Sequence, residues 1–313
     1  MSGYARWAAV LAGGDGTRLR PFTQRLAGDD RPKQFCRILS HSTLLGETIN
    51  RVAYTVQPAS TVYVVSREHE PFYRKDLAEV RASHIVAQPV SRGTTAAVAL
   101  ALMRIDHLAC PEPIVGFFPA DHSYEDARPL RQALEQAYSM AIAHPDHLLL
   151  VGARASGPDT DYGWIQPGEA IVKDRLRGAK RLPVHRVRGF VEKPDAAAAK
   201  QLFEEGAWWN TFVVIGHINA FTEILKSTVP EIWNPIAEAG GTRLARDCRL
   251  LRSVYDSIGS SDFSRDVLAA CIERLNVVGP LEAGWTDLGQ PHRVLAAMAN
   301  RGLPKPNLRR IAS

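Results

Sequence analysis

The chain of 313 residues is poor in cysteine, with four, and none of them forms a Cys-x-x-Cys pair. Cys36, Cys110, Cys248 and Cys271 are far apart in or beside apolar sequence, so a disulfide framework is not supported and buried or incidental thiols in a reducing compartment are expected. Ten histidines form neither a His-Glu-x-x-His nor a His-x-x-x-His array, which leaves a zinc centre without support. No stretch reaches the roughly 18 apolar residues of a membrane span. The segment Met1-Ser-Gly-Tyr-Ala-Arg6 lacks the charged-then-apolar order of a signal peptide, so the expectation is a cytoplasmic protein with no membrane partner. Internal repeats are absent, including the hexapeptide ladder of a left-handed β-helix. A large excess of one charge is also lacking: 38 basic residues against 33 acidic give a net charge of +5, an excess suited to nucleotide phosphates and too small to imply nucleic acid.

Hydrophobic residues make up 45% and charged residues 23%, ordinary values for a globular protein of this length. Apolar runs at Trp7–Ala12, Thr61–Val65, Ile114–Phe118 and Leu148–Val151 alternate with segments of helical spacing at Leu44–Val56, Phe72–Val80, Thr94–Ile105 and Leu130–Ile142. That order predicts an α/β fold, Rossmann-like, with a mainly parallel sheet and helices on both faces. Ligands of such sheets bind beyond the carboxyl ends of the strands. From about Ala153 the texture becomes loop-rich, and an extended pair around Trp164–Gln166 and Val187–Glu192 is read as a sugar-side subdomain. A helix over Asp195–Glu204, a strand over Thr211–Ile215 and helices over Phe221–Leu225 and Val267–Leu275 follow. One catalytic domain over 1–300 is expected, its nucleotide part about 1–152 and its sugar-side part about 153–300, with a basic tail over 301–313.

The densest chemistry lies near the amino end. Trp7–Ala12 runs into Gly13-Gly-Asp-Gly-Thr-Arg18, and Arg31-Pro-Lys-Gln-Phe35 adds a second basic patch. Gly13, Gly14 and Gly16 permit backbone conformations and close approach that a side chain forbids, and their N–H groups can face phosphate. Arg18 and Lys33 would then offset the charge of a departing pyrophosphate. A glycine turn is equally a plain strand-to-helix connection. The run is not a Walker A loop, because no Gly-Lys-Ser/Thr follows, and its spacing differs from G-x-G-x-x-G.

The extended run, LAGGDGTRLRPFT followed by RPKQF, resembles the signature of sugar-phosphate nucleotidyltransferases and is most similar to mannose-1-phosphate guanylyltransferases. The resemblance spans Val10 to about Gly289 through several ordered motifs and implies a nucleotidyltransferase, GT-A-like sheet. It also implies nucleotide contacts from Leu11, Ala12, Gly13, Gly14, Gly16, Thr17, Arg18 and Lys33. Asp121 after the Ile114–Ala120 strand, and Asp287 in Gly284-Trp-Thr-Asp-Leu-Gly289, are the implied Mg²⁺ carboxylates. Val191-Glu-Lys-Pro194 implies Lys193 on the sugar phosphate and Glu192 on sugar hydroxyls, with Asn210 of Trp209-Asn-Thr-Phe and Gly163 of Tyr162-Gly163 as further sugar contacts. Gln88, Gly93 and Thr94 are the base-side candidates, an amide being able to read a nucleobase edge while Gly93 leaves room for the ring.

Two segments depart from the family pattern: Arg92-Gly-Thr-Thr-Ala96 replaces R-N-T-A-P, and Ser264-Arg-Asp-Val267 replaces D-Y-A-[VL]-[ML]-E, with Asp262 and Arg265 as possible substitutes. The implied activity joins a nucleoside monophosphate from an NTP, in first place GTP, to a sugar 1-phosphate, in first place mannose 1-phosphate. Another NTP or another phosphorylated sugar or cyclitol is the nearest alternative. A nucleotide-sugar glycosyltransferase and a non-catalytic nucleotide-sugar sensor stand further off, the former because the Gly-Gly-x-Gly-Thr-Arg loop argues against it. No feature fixes the oligomeric state, and a homo-oligomer stays open.

Overall fold

The computed structural model describes residues 4–109, 112–172, 175–176, 179–240 and 247–304. The short apolar runs are the buried strands β1 (Arg6–Ala12), β2 (Thr61–Ser66), β3 (Ile85–Gln88), β4 (Ile114–Pro119) and β5 (Leu148–Arg154). Side chains alternate between the faces of the sheet. Trp7, Ala9, Val62 and Val64 pack into one apolar layer with α4 (Gly93–Leu108), α7 (Ile218–Thr228), α8 (Pro230–Ala239) and α9 (Cys248–Ser257). Ala8, Val10, Tyr63 and Val65 pack into the other with α2 (Leu44–Ala53) and α5 (Ala127–Ala143). Helices therefore cover both faces, as the alternation predicts.

β1, β2, β3 and β4 are mutually parallel. Between β4 and β5 the chain inserts β10 (Trp208–His217), antiparallel to both neighbours. Beyond β5 lie β11 (Leu275–Leu281), parallel to β5, then β9 (Val184–Glu192) and β6 (Gly163–Val172), both in antiparallel pairing. Trp208 and Trp209 of β10 also pair with Ile165 and Trp164 of β6, closing the second half of the sheet on itself. A two-residue pair, β7 (Arg175–Leu176) with β8 (Ala179–Lys180), stands apart. The helix α6 (Ala196–Glu204) starts at Asp195, whose carboxylate accepts from the Ala198 N–H.

Two expectations need correction. Val267–Leu275 is no helix: a π turn over Phe263–Val267 and two short 3₁₀ turns lead into β11, which begins at Leu275. Phe72–Val80 is helical only at α3 (Glu70–Tyr73). Tyr73 and Leu77 are buried as the spacing predicts, while Asp76 is drawn off to accept a hydrogen bond from Thr43, the residue that caps α2.

A third apolar layer joins the two ends of the chain. Leu19 and Phe22, around the start of α1 (Arg20–Ala27), pack with Ile38, Leu44, Leu288 and the helix α10 (Pro291–Asn300) through Val294 and Met298. Arg301, placed by its sequence in the tail, is tied down by hydrogen bonds to the carbonyls of Leu39 and Tyr124 and the Ser123 hydroxyl. Residues 305–313 of the tail, and Cys110, lie outside the described residues. Cys36 and Cys271 are buried free thiols and Cys248 is exposed. Among the described residues no helix is long and apolar enough to cross a membrane.

Candidate active site

A cavity of about 300 Å³ opens where β1, β3 and β4 end at their carboxyl side. Leu11, Gly13, Gly14 and Arg18 form one edge; Gln88, Gly93 and Thr94 a second; Asp121 and Asp287 a third; and Gly163, Glu192, Lys193 and Asn210 the far wall. Thirteen of the residues singled out in the sequence thus meet in one cleft.

Four others do not line it. Ala12 is buried in the core, and its carbonyl accepts from Gln34 Nε2 at 3.0 Å. The same amide nitrogen donates to the Gly14 carbonyl at 2.7 Å, so the glutamine of the Arg31–Phe35 patch pins the glycine turn. Gly16, Thr17 and Lys33 border a smaller neighbouring cavity together with Arg18 and Asp121. The Lys33 ammonium, on a side chain only 9% exposed, donates to the Asp287 carbonyl at 2.6 Å and lies 3.1 Å from Asp121. It braces the two acidic turns against each other.

Asp121 and Asp287 meet because Ser123 and Thr286 exchange backbone hydrogen bonds of 2.9 and 3.0 Å, an isolated bridge between distant turns. Behind Asp121, the Trp285 indole donates to His122 Nδ1 at 3.2 Å, which leaves the ring proton on Nε2, 3.7 Å from Asp121. Burial pushes the His122 pKa below its usual value despite Asp121 and Asp287, so the ring is neutral at pH 7. Burial alone would raise the Asp287 carboxyl; Lys33, His122, Arg293 and the Gly289 N–H together hold it below the ordinary range.

Arg293, on α10, gives no sign of its role in the sequence. It is 8% exposed, donates to Asp287 at 2.8 Å, forks onto Asp159 at 2.7 Å, reaches Asp161 at 3.2 Å and lies 4.1 Å above the Tyr162 ring. Asp161 in turn faces Arg18 at 3.5 Å. These partners come from the loop-rich segment before Tyr162, where a run of polar residues reads only as solvated loop.

On the far wall Gly163 lets the Glu192 carboxylate sit close, since a Cβ there would lie 2.5 Å from it and push that side chain aside. Burial raises the Glu192 pKa above its usual value, with the Lys193 ammonium at 2.8 Å pulling it back. Lys193 and Phe212 line the cavity with φ of 48° and 61°, and Leu288, next to Asp287, has φ 50°. Among the described residues these are the non-glycine residues in left-handed backbone, a strain that clusters at sites. Asn210 supports Phe212 directly, its Oδ1 accepting the Phe212 N–H at 3.0 Å within a bulge of β10.

The base-side segments differ from expectation in one respect. Gly93, at φ 79°, is demanded by the backbone of Ser261, whose carbonyl oxygen would stand 2.1 Å from a Cβ. The Thr94 hydroxyl accepts the Phe263 N–H at 2.8 Å, and Thr95 shares a 2.8 Å hydrogen bond with Ser261. The first departure from the family pattern therefore packs against the turn that leads into the second. Asp262 caps the π turn through the Ser264 and Arg265 N–H groups, and Arg265 pairs with Asp266 at the surface.

Residues 7–301 match the sequence model of a family described as nucleotidyl transferase. The alginate biosynthesis protein AlgA of Pseudomonas aeruginosa is 32% identical over 295 residues, covering 90% of this chain and 56% of that protein. The mannose-1-phosphate guanylyltransferase RfbM of Salmonella typhimurium is 28% identical, again over 90% of this chain and 56% of its own. The chain thus spans a little over half the length of these relatives. A solved Thermus thermophilus protein described as a mannose-1-phosphate geranyltransferase superposes with a TM-score of 0.75 at 29% identity, covering 91% of this chain and 76% of that one. The cleft at the strand ends and the ordered motifs around it belong to a chain of the nucleotidyl transferase family.

Proposed function

We propose that this cleft transfers a nucleoside monophosphate from GTP to mannose 1-phosphate, releasing pyrophosphate and forming GDP-mannose. The observation that carries the reading is the single cavity in which a glycine loop and Arg18, two carboxylates, and a Lys193–Glu192 wall face one another. The names of relatives such as RfbM favour the guanosine and mannose pair.

An oxygen of the sugar phosphate, already ionised at neutral pH, attacks the α-phosphorus as the bond to the pyrophosphate oxygen breaks and the electron pair leaves with pyrophosphate. No covalent enzyme intermediate is needed, and rate comes from positioning and charge neutralisation. Lys193 offsets the incoming dianion, Glu192 and Asn210 hold sugar hydroxyls, and Arg18 draws charge toward the leaving group. Lys33 keeps the acidic turns together and is the reserve cation beside the glycine loop. The carboxylates of Asp121 and Asp287 suit Mg²⁺, which takes oxygen ligands and needs only one or two from protein. Bound there, Mg²⁺ would supply charge neutralisation on the triphosphate oxygens. Orientation of Asp121 by Lys33 and of Asp287 by Arg293 is the protein's share of that site.

Mass analysis of the products formed from five NTPs, each with mannose 1-phosphate or glucose 1-phosphate, tests the assignment. GDP-mannose as the main product supports it. Another nucleotide sugar keeps the chemistry and replaces the pair; release of free sugar or hydrolysed nucleotide alone removes nucleotidyl transfer.

A further inference from the structure

The base side of the cleft holds a buried pair that the proposed reaction has not used. Gln88, the last residue of β3, is 4% exposed and lines the cavity, and Tyr255 on α9 is fully buried behind it. The Tyr255 hydroxyl donates to Gln88 Oε1 at 3.1 Å. Burial raises the phenol pKa, so it keeps its proton at any working pH, and among the described residues Oε1 is that proton's acceptor. Were the amide turned over, Nε2 would face the hydroxyl, the hydroxyl would accept, and the phenol proton would be left buried without a partner. A penalty of that kind favours the observed orientation by on the order of tenfold or more. The amide nitrogen also lies over the glycine loop, where a Cβ on Gly13 would come within 2.6 Å of it. The tyrosine cannot drift away from this contact cheaply, because Arg92 Nε holds the Tyr255 carbonyl at 2.7 Å and the Ser261 backbone sits against Gly93.

We infer that Tyr255 is a positioning residue for base selection: by occupying Oε1, it makes Gln88 present only its NH₂ donor to the cleft. This rests on the nucleotide-binding reading given above. A donor facing the base pairs with a carbonyl, O6 of guanine or O4 of uracil and thymine, and opposes the exocyclic amino group of adenine or cytosine. The pocket thereby selects 6-oxo purines or 4-oxo pyrimidines, and discrimination comes as much from the rejected donor–donor contact as from the accepted one.

The test compares Tyr255→Phe with the unaltered protein, measuring kcat/KM and equilibrium binding for GTP, ITP, ATP, UTP, dTTP and CTP on samples of matched melting temperature. ITP keeps O6 and lacks the 2-amino group, so it isolates the contact in question. The expected result is an oxo-over-amino preference that narrows by on the order of tenfold in Tyr255→Phe, with ATP improving while GTP and ITP weaken. In a Gln88→Ala background the same substitution should leave the preference unchanged. Equal losses for GTP and ATP, an undiminished effect without Gln88, or a native preference for ATP or CTP would each overturn the inference. Native use of UTP or dTTP in place of GTP would replace guanine in the proposed reaction and leave Tyr255 in its role. Absence of turnover with every NTP would remove the proposed reaction, and the binding preferences would then decide on Tyr255 alone; no binding of any nucleotide would sink both.

Discussion

Replacing Arg293 with alanine is the severest test of how the acidic side of the cleft is held. The guanidinium bonds Asp287, Asp159 and Asp161, whose side chains are 15%, 26% and 32% exposed. Removing one partner of a buried pair costs about 3–5 kcal/mol, whereas the more exposed contacts add at most about 1 kcal/mol each and stacking on Tyr162 about 1 kcal/mol more. These terms overlap, so about 4 kcal/mol is the reasonable total. At about 2 °C per kcal/mol for a domain of this size, Arg293→Ala should melt about 8 °C below the unaltered protein in calorimetry at pH 7. The sign with pH follows from Asp287. Its carboxyl is held low in the folded protein, a contribution fully present above the ordinary aspartate pKa of about 4 and lost as pH falls from there through the lower folded-state value. The gap between the two proteins should therefore narrow in acid. Arg293→Lys should recover part of the loss, since it keeps the charge without the fork. Arg128→Ala, which breaks a pair on a side chain 91% exposed, serves as the control and should change nothing measurable. A melting temperature for Arg293→Ala within about 2 °C of the native value, about 1 kcal/mol on the same scale, would refute the claim that one buried cation organises three carboxylates.

Other consequences are as direct. Glu192 has its pKa raised by burial, so ionising it opposes folding; Glu192→Gln should raise thermal stability at neutral pH, lose that gain below the ordinary glutamate range, and still lower turnover, a pattern read from paired melting and rate measurements. Lys193→Ala should raise KM for the sugar phosphate about tenfold or more while leaving KM for the NTP near its native value, because Lys193 belongs to the far wall of the cleft, across from the glycine loop. Gly93→Ala combines φ 79° with a Cβ 2.1 Å from the Ser261 carbonyl, so it should lower the melting temperature by several degrees and disturb nucleotide binding, whereas Gly14→Ala, with open space around its Cβ position, should spare stability.

What the sequence made legible were the features carried by short stretches of chain. Buried strands announce themselves as runs such as Val62-Tyr-Val-Val65, and because parallel strands end on one side, the glycine loop after β1, Gln88 at the end of β3 and Asp121 after β4 had to share an edge. The contacts that tune the site were not legible, since they join segments without a local signature. Arg293 sits on an amphipathic helix where a basic residue ordinarily faces solvent, and its burial depends on α10 packing against the start of α1. Lys33 reads as a phosphate-facing cation, and its added reach toward Asp287 follows from the Ser123–Thr286 bridge, which no periodicity reports. Leu275-Asn-Val-Val-Gly-Pro-Leu281 is an apolar run too short for spacing to separate strand from helix, and the edges offered by β5 and β9 make it a strand. Tyr255 belongs to the same class: a core aromatic by every sequence measure, with a hydroxyl that meets Gln88 only in the folded chain.

The central claim is that one cleft brings a nucleoside triphosphate and a sugar phosphate together for direct transfer. Its most direct test is continuous measurement of pyrophosphate release by the purified chain with Mg²⁺, GTP and mannose 1-phosphate, alongside Asp121→Asn of matched fold. The account predicts release that needs both substrates, equals GDP-mannose formed, and falls by at least about a hundredfold in the variant, as expected when a charge acting on the transition state is removed. Release at the same rate without the sugar phosphate, or unchanged release by Asp121→Asn, would contradict it.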